Sequence, residues 1–257
     1  IGRISPPPTI HALLAARLDR LAPEERAVLE RAAVIGKLFS REALVGLGAE
    51  DELDARLATL VHKDLIRPGD TDPDPSRAAS YRFRHILVRD AAYQGISKAS
   101  RAELHETFAT WLERARSGRL REYEEILGYH LEQAHHYRAE LAPANDHSSA
   151  LASRAAELLA SAGRRAFARG DATASARLLT RATVLLLHDD RSRIEIAPDL
   201  GAALIEAGEL VQAETVLARA ETAAAAVGDR RLELRARLER CWVQLRAEPK
   251  VAASGVQ

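Results

Sequence analysis

The feature that most limits how this chain can fold is a self-similarity in its C-terminal half. Ala162-Gly163-x2-Ala166, Gly170-Asp171, Ser175-x3-Leu179 and Ala182 return 38 residues later. The second copy reads Leu200-Gly201-x2-Leu204, Gly208-Glu209, Ala213-x3-Leu217 and Ala220. Apolar and small residues at helical spacing on both sides of a Gly-acidic pair describe two helices joined by a tight turn. A small residue at 163 and 201 lets the two antiparallel helices approach, and a second small residue lets the next pair stack. One such pair buries few leucines, each contributing roughly 1.5–3 kcal/mol. The pairs must therefore lean on neighbours. Residues 229–247 begin a third unit, and the array is expected to continue past Gln257.

This pattern resembles the tetratricopeptide repeat, although the period exceeds the usual value of about 34. No Trp or Pro stands at the usual consensus places. The repeats are therefore degenerate, TPR-like ones, and repeat arrays of this kind present a concave face to peptides. Composition agrees with helices throughout. Apolar residues make up 47% of the chain but aromatics only 4%, so the core must be Ala, Leu and Val, which suits closely packed helices.

The N-terminal half reads differently. After the proline-bearing residues 1–8, Thr9 is the expected N-cap of a helix carrying Ile10, Leu13, Leu14, Leu18 and Leu21. Pro23 with Glu24 and Glu25 opens a second helix that buries Val28, Leu29, Ala32 and Ala33 and ends at Gly36. Ser40 caps a short helix through Leu47, and Asp51 caps another with the stripe Leu53, Leu57, Leu60, Val61 and Leu65. PGDTDPDPSRAAS, residues 68–80, is a loop by composition. Leu65-Ile66-Arg67 and Tyr81-Arg82-Phe83-Arg84 flank it as strands. Three helices followed by a hairpin is the order of a winged helix. Ser100-x-x-Glu103 opens a helix through about Arg116 with Leu104, Phe108, Trp111 and Leu112 inside, and a further helix spans about Glu122 to Glu140. PANDHSS, residues 143–149, is a linker.

Several chemistries are excluded by their motifs. Gly36-Lys37 fails as a phosphate-binding loop, because Arg31 and Leu38 stand where Gly and Ser or Thr are needed. There is no G-x-S-x-G, no H-E-x-x-H and no cysteine pair. His130, His135 and His136 have spacings of five and six rather than three or four, so they read as partly exposed helix histidines rather than metal ligands. The 37 basic and 37 acidic residues cancel. Asp51, Glu52, Asp54 and Asp64 outweigh Arg56 and Lys63 on the helix that would enter a DNA groove, and Asp70, Asp72 and Asp74 outweigh Arg77 on the wing. Phosphate contact carries most non-specific affinity, so nucleic acid is disfavoured as a partner. No run of roughly 18 apolar residues is present, so no membrane is expected. IGRISPPPT lacks the apolar run of a signal peptide, and the single cysteine, Cys241, fits a reducing, cytoplasmic setting. With no Met, Ile1 is not a translation start, and the chain is expected to be a piece of a longer protein.

One segment does carry chemistry. In YRFRHILVRDAAYQGI, residues 81–96, period two puts Tyr81, Phe83 and His85 on one face and Arg82 and Arg84 on the other. His85 and Arg89 are four apart once the helix begins. A partly buried His at a helix N-terminus beside a guanidinium suits an anionic group such as phosphate. The plain alternative, that His85 and Asp90 only satisfy local partners, stands beside it.

The succession PPTIHALLAARLDRLAPEERAVLERAAVIGKLFS, LATLVHKDLI and YRFRHILVRDAAYQGISKASRAELH resembles signal-transduction ATPases of the STAND class. More narrowly, it looks like the predicted AAA-type ATPases that follow class III adenylate cyclase domains, and large LuxR-type regulators share the layout. The resemblance covers about residues 6–140. It implies an upstream nucleotide-binding core that this chain lacks, with a winged helix folding back over the nucleotide. Phe83-Arg84-His85 resembles the motif that senses the ADP phosphate, so His85 and Arg89 become candidate nucleotide-sensing residues once that core is present. ATP or ADP would belong to the parent protein; the chain itself is expected to hold no cofactor, metal or catalytic residue and to be no enzyme.

The expected architecture is mostly α: a linker at 1–8, a winged-helix regulatory module with its preceding helix at 9–97, and a helical connector at 98–142. A linker at 143–149, a TPR-like α-solenoid at 150–247 and a tail at 248–257 follow. The expected partners are the upstream nucleotide-binding domain and a protein or peptide on the arm. The expected role is a non-catalytic regulatory and interaction segment of a nucleotide-controlled signalling protein. Two other roles compete with it: a DNA-binding winged-helix transcriptional regulator and a self-standing TPR-like peptide-binding scaffold.

Overall fold

The computed structural model describes residues 8–49, 52–69, 80–143, 145–187 and 190–247, with backbone alone for 8–11. Asp51, the acidic wing tip at 70–79 and the tail at 248–257 lie outside them. The described residues are mostly α, with twelve α-helices and a three-stranded sheet, and they divide into two compact units. One comprises residues up to Gly118 together with Gln133–Ala144; the other comprises Arg119–Glu132 and the chain from Asn145 onward. The expected connector at 98–142 thus contributes to both.

In the first unit α1 spans Pro8–Leu18, so Thr9 lies inside the helix rather than capping it. Proline tolerates the first helical position because its missing N–H would have no partner there. α2, Pro23–Ile35, starts in the same way, and the Ala22 N–H donates to the Glu25 carboxylate at 3.2 Å. β1, Leu38–Ser40, follows Gly36 and was not foreseen, since three residues are too few to show alternation. α3, Arg41–Gly46, is capped by Ser40, whose hydroxyl accepts from the Ala43 N–H at 3.2 Å. α4 is Leu53–His62; Asp64, at φ 54°, then turns the chain into β2, Ile66–Pro68. An Asp tolerates that left-handed conformation better than a branched side chain.

β3, Ser80–Phe83, is the central strand, antiparallel to both β1 and β2. Its edge partner β2 can therefore end on Pro68 without losing a ladder bond. Phe39, Tyr81 and Phe83 share one face, with ring centroids 6.0 and 5.5 Å from Phe39. They close a core built on Leu29, Leu44, Leu53, Leu57, Leu60 and Ile66.

α5, Ile86–Gly95, and α6, Lys98–Ala115, complete this unit with the C-terminal part of α7, Leu120–Leu141. Ser97, not Ser100, caps α6, because Ile96 is still extended and the chain enters the helix one residue later. Trp111 packs where a Cβ on Gly46 would stand.

The second unit is a TPR-like solenoid. α8, Asp146–Ala168, is capped by Asn145, so the expected linker at 143–149 is shorter than its composition implied. α9, Ala172–Val184, is capped by Asp171, and α10, Arg191–Glu206, by Asp190. α11, Leu210–Ala226, and α12, Arg230–Ala247, follow across Gly208 and Gly228. Gly170 and Gly208 take φ of 81° and 83°, the left-handed turn residue that glycine adopts without strain. Close approach occurs where the small residues stand. A Cβ on Gly163 would lie 2.9 Å from Leu179, one on Gly201 would overlap Leu217, and one on Gly128 would lie 2.8 Å from Leu159. The core between these helices is largely Ala and Leu, with Leu159, Leu178, Leu179 and Leu217 fully buried. Cys241 on α12 is exposed.

Candidate functional site

The joint between β3 and α5 is where the sequence placed its functional residues. On the face of the sheet away from the core, Arg82 of β3 stands directly across from Arg67 of β2. Two residues on, Arg84 donates its N–H to the Leu65 carbonyl at 3.0 Å, and its guanidinium lies 3.2 Å from Asp64. Like charges directly opposite are unfavourable, so the Arg67–Arg82 pair makes this a basic edge of the sheet, with Asp64 beside Arg84.

His85 is the N-cap of α5, in extended conformation, and its ring makes no capping bond. It is exposed, which corrects the expectation of partial burial. The strand ends at Phe83, and the chain leaves the sheet at Arg84, so the two-residue alternation does not carry the imidazole to the core. Ile86 is exposed as well, and α5 buries Val88, Ala91 and Ala92 instead. His85 therefore offers an accessible ring beside the backbone N–H groups of a helix start, which favour anions.

Arg89 is turned inward. Its Nε donates to the Ala33 carbonyl at 3.0 Å, its Nη1 meets Asp90 at 3.2 Å, and its Cζ lies 5.3 Å from the Tyr93 ring centre. Ala33 belongs to the last turn of α2, where carbonyls lack intrahelical donors and a cation is favoured. Arg89 thus has a packing role between α5 and α2, whereas His85 has none of that kind.

A buried network that no sequence motif marks adjoins Arg89. The Tyr93 hydroxyl lies 2.8 Å from His105 Nε2 and 3.0 Å from the Tyr137 hydroxyl. Arg101 covers both tyrosine rings, at 4.6 and 5.3 Å, and donates to the backbone carbonyls of Tyr93 and Gln94. His105 has no exposed surface. Burial, reinforced by the Arg89 and Arg101 charges, pushes its pKa down to about 3. The available signal was its place with Ala102, Phe108, Ala109 and Leu112 on one face of α6, all of them buried.

His130 departs from the expected half-exposed helix histidine. It is buried with Leu127, Leu131 and Ala134, one face of α7, and its ring stands edge-on to Tyr129 at 5.1 Å. Among the described residues, no three His, Cys, Asp or Glu side chains are placed to hold a metal ion. On the helix weighed as a DNA reader, Lys63 is held by Glu25 at 2.5 Å. Arg41 spends both guanidinium edges on Asp54, at 2.7 and 2.9 Å. No described helix is long and apolar enough to cross a membrane.

No family model and no curated protein matches the chain. Among solved structures it is similar to a Signal Transduction ATPase with Numerous Domains (STAND) protein with a tetratricopeptide repeat sensor from Pyrococcus horikoshii. Identity is 15% and the TM-score 0.37; the likeness covers 96% of this chain and 38% of that one. This chain thus spans well under half the length of the structure it is similar to.

Proposed function

We propose that this chain is the non-catalytic regulatory and partner-binding segment of a nucleotide-controlled signalling ATPase of the STAND class. In this reading α2, α3 and α4 with the sheet act as a winged-helix module. The observation that carries the reading is the Phe83-Arg84-His85 motif at the strand-to-helix joint. Phe83 is locked into the core while His85 stands exposed at a helix N-terminus. A core residue thereby fixes the position of a ring that stays free to meet a phosphate. ADP on the upstream nucleotide-binding core would contact that ring and hold the module closed; exchange for ATP would release it. Arg89 enters as a support, tying α5 to α2 behind the contact. The TPR-like arm supplies the surface for a protein or peptide partner, and the output is a cyclase or transcriptional domain of the same polypeptide. The exposed, unpaired Cys241 suits a cytoplasmic, reducing setting. DNA binding is the poorer reading, because of its two helix cations, Arg56 and Lys63, the second is already neutralised by Glu25.

The test is ADP affinity of the whole protein with His85→Ala. Loss of the contact should weaken ADP binding by a coupling of about 1–3 kcal/mol, with the melting profile unchanged. Wild-type ADP affinity in that variant would reduce His85 to a surface residue and remove the central support of the reading.

A further inference from the structure

The solenoid carries a cleft of about 280 Å³ whose chemistry is more specific than a general partner surface. Phe167 of α8, Ile205 and Glu206 of α10, and Glu239, Trp242 and Arg246 of α12 line it. These are alternate helices of the stack. Two aromatic rings that a packed stack would ordinarily bury are exposed there, Phe167 at 39% and Trp242 at 51%.

The charges in the cleft do not cancel. Arg246 is held by Glu206 at 2.6 Å and also donates to the Ile205 carbonyl at 3.4 Å. Glu239 is half-buried, yet among the described residues it accepts no hydrogen bond and forms no ion pair. Arg235 and Asp199 are the charged groups it senses; Arg235 is itself bound to Asp199, which also takes Arg164 at 2.6 Å. Burial pushes the Glu239 carboxyl above its ordinary range, Arg235 opposes that, and Asp199 adds to it. A carboxylate that gives up water without gaining a protein counter-ion is left unfavourably placed until a cation arrives.

Aromatic faces attract cations, and a guanidinium stacks on an indole while donating two parallel bonds to a carboxylate. We propose that this cleft receives an arginine side chain of a protein partner, with Glu239 as its counter-charge and Trp242 and Phe167 as its aromatic lining. The proposal rests on the reading of the arm as a partner surface and names the chemistry that surface selects.

The protein has two tryptophans, so the indole N–H resonance of Trp242 can be assigned by its loss in Trp242→Phe. The probes are a pool of random octapeptides with a fixed central arginine and the same pool with citrulline, the neutral isostere. The arginine pool should shift the Trp242 resonance saturably, and the citrulline pool should bind at least roughly tenfold more weakly. Glu239→Gln, near-isosteric and on the surface of one helix, should abolish that preference while leaving the melting curve in place. Equal binding of both pools, or a preference that survives Glu239→Gln, overturns the arginine site but leaves the arm a peptide surface. No shift with either pool overturns the arm reading as well.

Discussion

At the scale of single residues, His105 ties the stability of the fold to pH. His105 is wholly buried, and its pKa is pushed down to about 3, so it is neutral in the folded protein at pH 7. The unfolded chain returns it to about 6.5. Between these values the unfolded state binds a proton that the folded state refuses, so stability falls as pH drops. The His105 contribution is fully present above pH ~6.5 and is lost by ~1.4 kcal/mol per pH unit down to about pH 3. Urea unfolding at pH 7 and pH 5 should show this slope, and His105→Gln should flatten it relative to the wild-type chain. Alternation puts His85 inside only if it runs past the last residue that belongs to the strand. The count holds for Tyr81 and Phe83, which meet Phe39, and fails one step later. His105 shares a buried face with Phe108, Ala109 and Leu112. A polar type in an apolar stripe is easily discounted, and its partners Tyr93 and Tyr137 are 12 and 32 residues away in sequence.

At the scale of elements, the helical repeats were legible because their constraint is steric and local. Gly163 and Leu179, and Gly201 and Leu217, stand in the same relation within each repeat, and each pair does meet in the fold. Gly201→Ala should therefore destabilise the protein despite gaining roughly 1 kcal/mol of helix propensity. Leu217 is fully buried and three of its side-chain carbons crowd the new Cβ, so overpacking of about 1–3 kcal/mol opposes that gain. Gly163→Ala, facing a gap of 2.9 Å, should cost less. Thermal melts of the two variants would rank them, and Leu217→Ala should shrink the Gly201→Ala penalty because the two sites share one contact. The sheet was less legible. β1 is three residues long and pairs with β3, Phe39 facing Tyr81 42 positions further on, a partner that no local pattern can announce. The start of α6 is ambiguous in sequence for a related reason, since Ser97 and Ser100 are equivalent caps by type and only the extended Ile96 decides between them.

At the scale of the whole chain, burial is distributed unevenly along the solenoid. α8 buries eleven of its residues, whereas α12 buries three, Leu232, Ala236 and Val243. α12 leaves Leu234, Leu238, Trp242 and Leu245 exposed. It is tied to α11 through Arg240 with Glu214 and Glu221, and Arg237 with Glu221. Surface pairs of this kind contribute about 0–1 kcal/mol each and do not replace apolar burial. Repeat arrays gain stability from neighbours, so the element with least apolar contact should open first. Hydrogen exchange should show α12 losing protection well before α8 and α9; equal protection across these helices would contradict this gradient.

The alternation of helices around the aromatic cleft has a consequence for how such a site can change. Phe167 and Trp242 belong to α8 and α12, with α10 supplying the floor between them. The gap between the rings is thus a sum of interhelical steps rather than a property of either ring. Two steps of the stack, α8 to α9 and α10 to α11, are set at Gly163 and Gly201, neither of which lines the cleft. A single methyl group at either position would regauge the opening from outside, altering the size of the guest without altering any atom it touches.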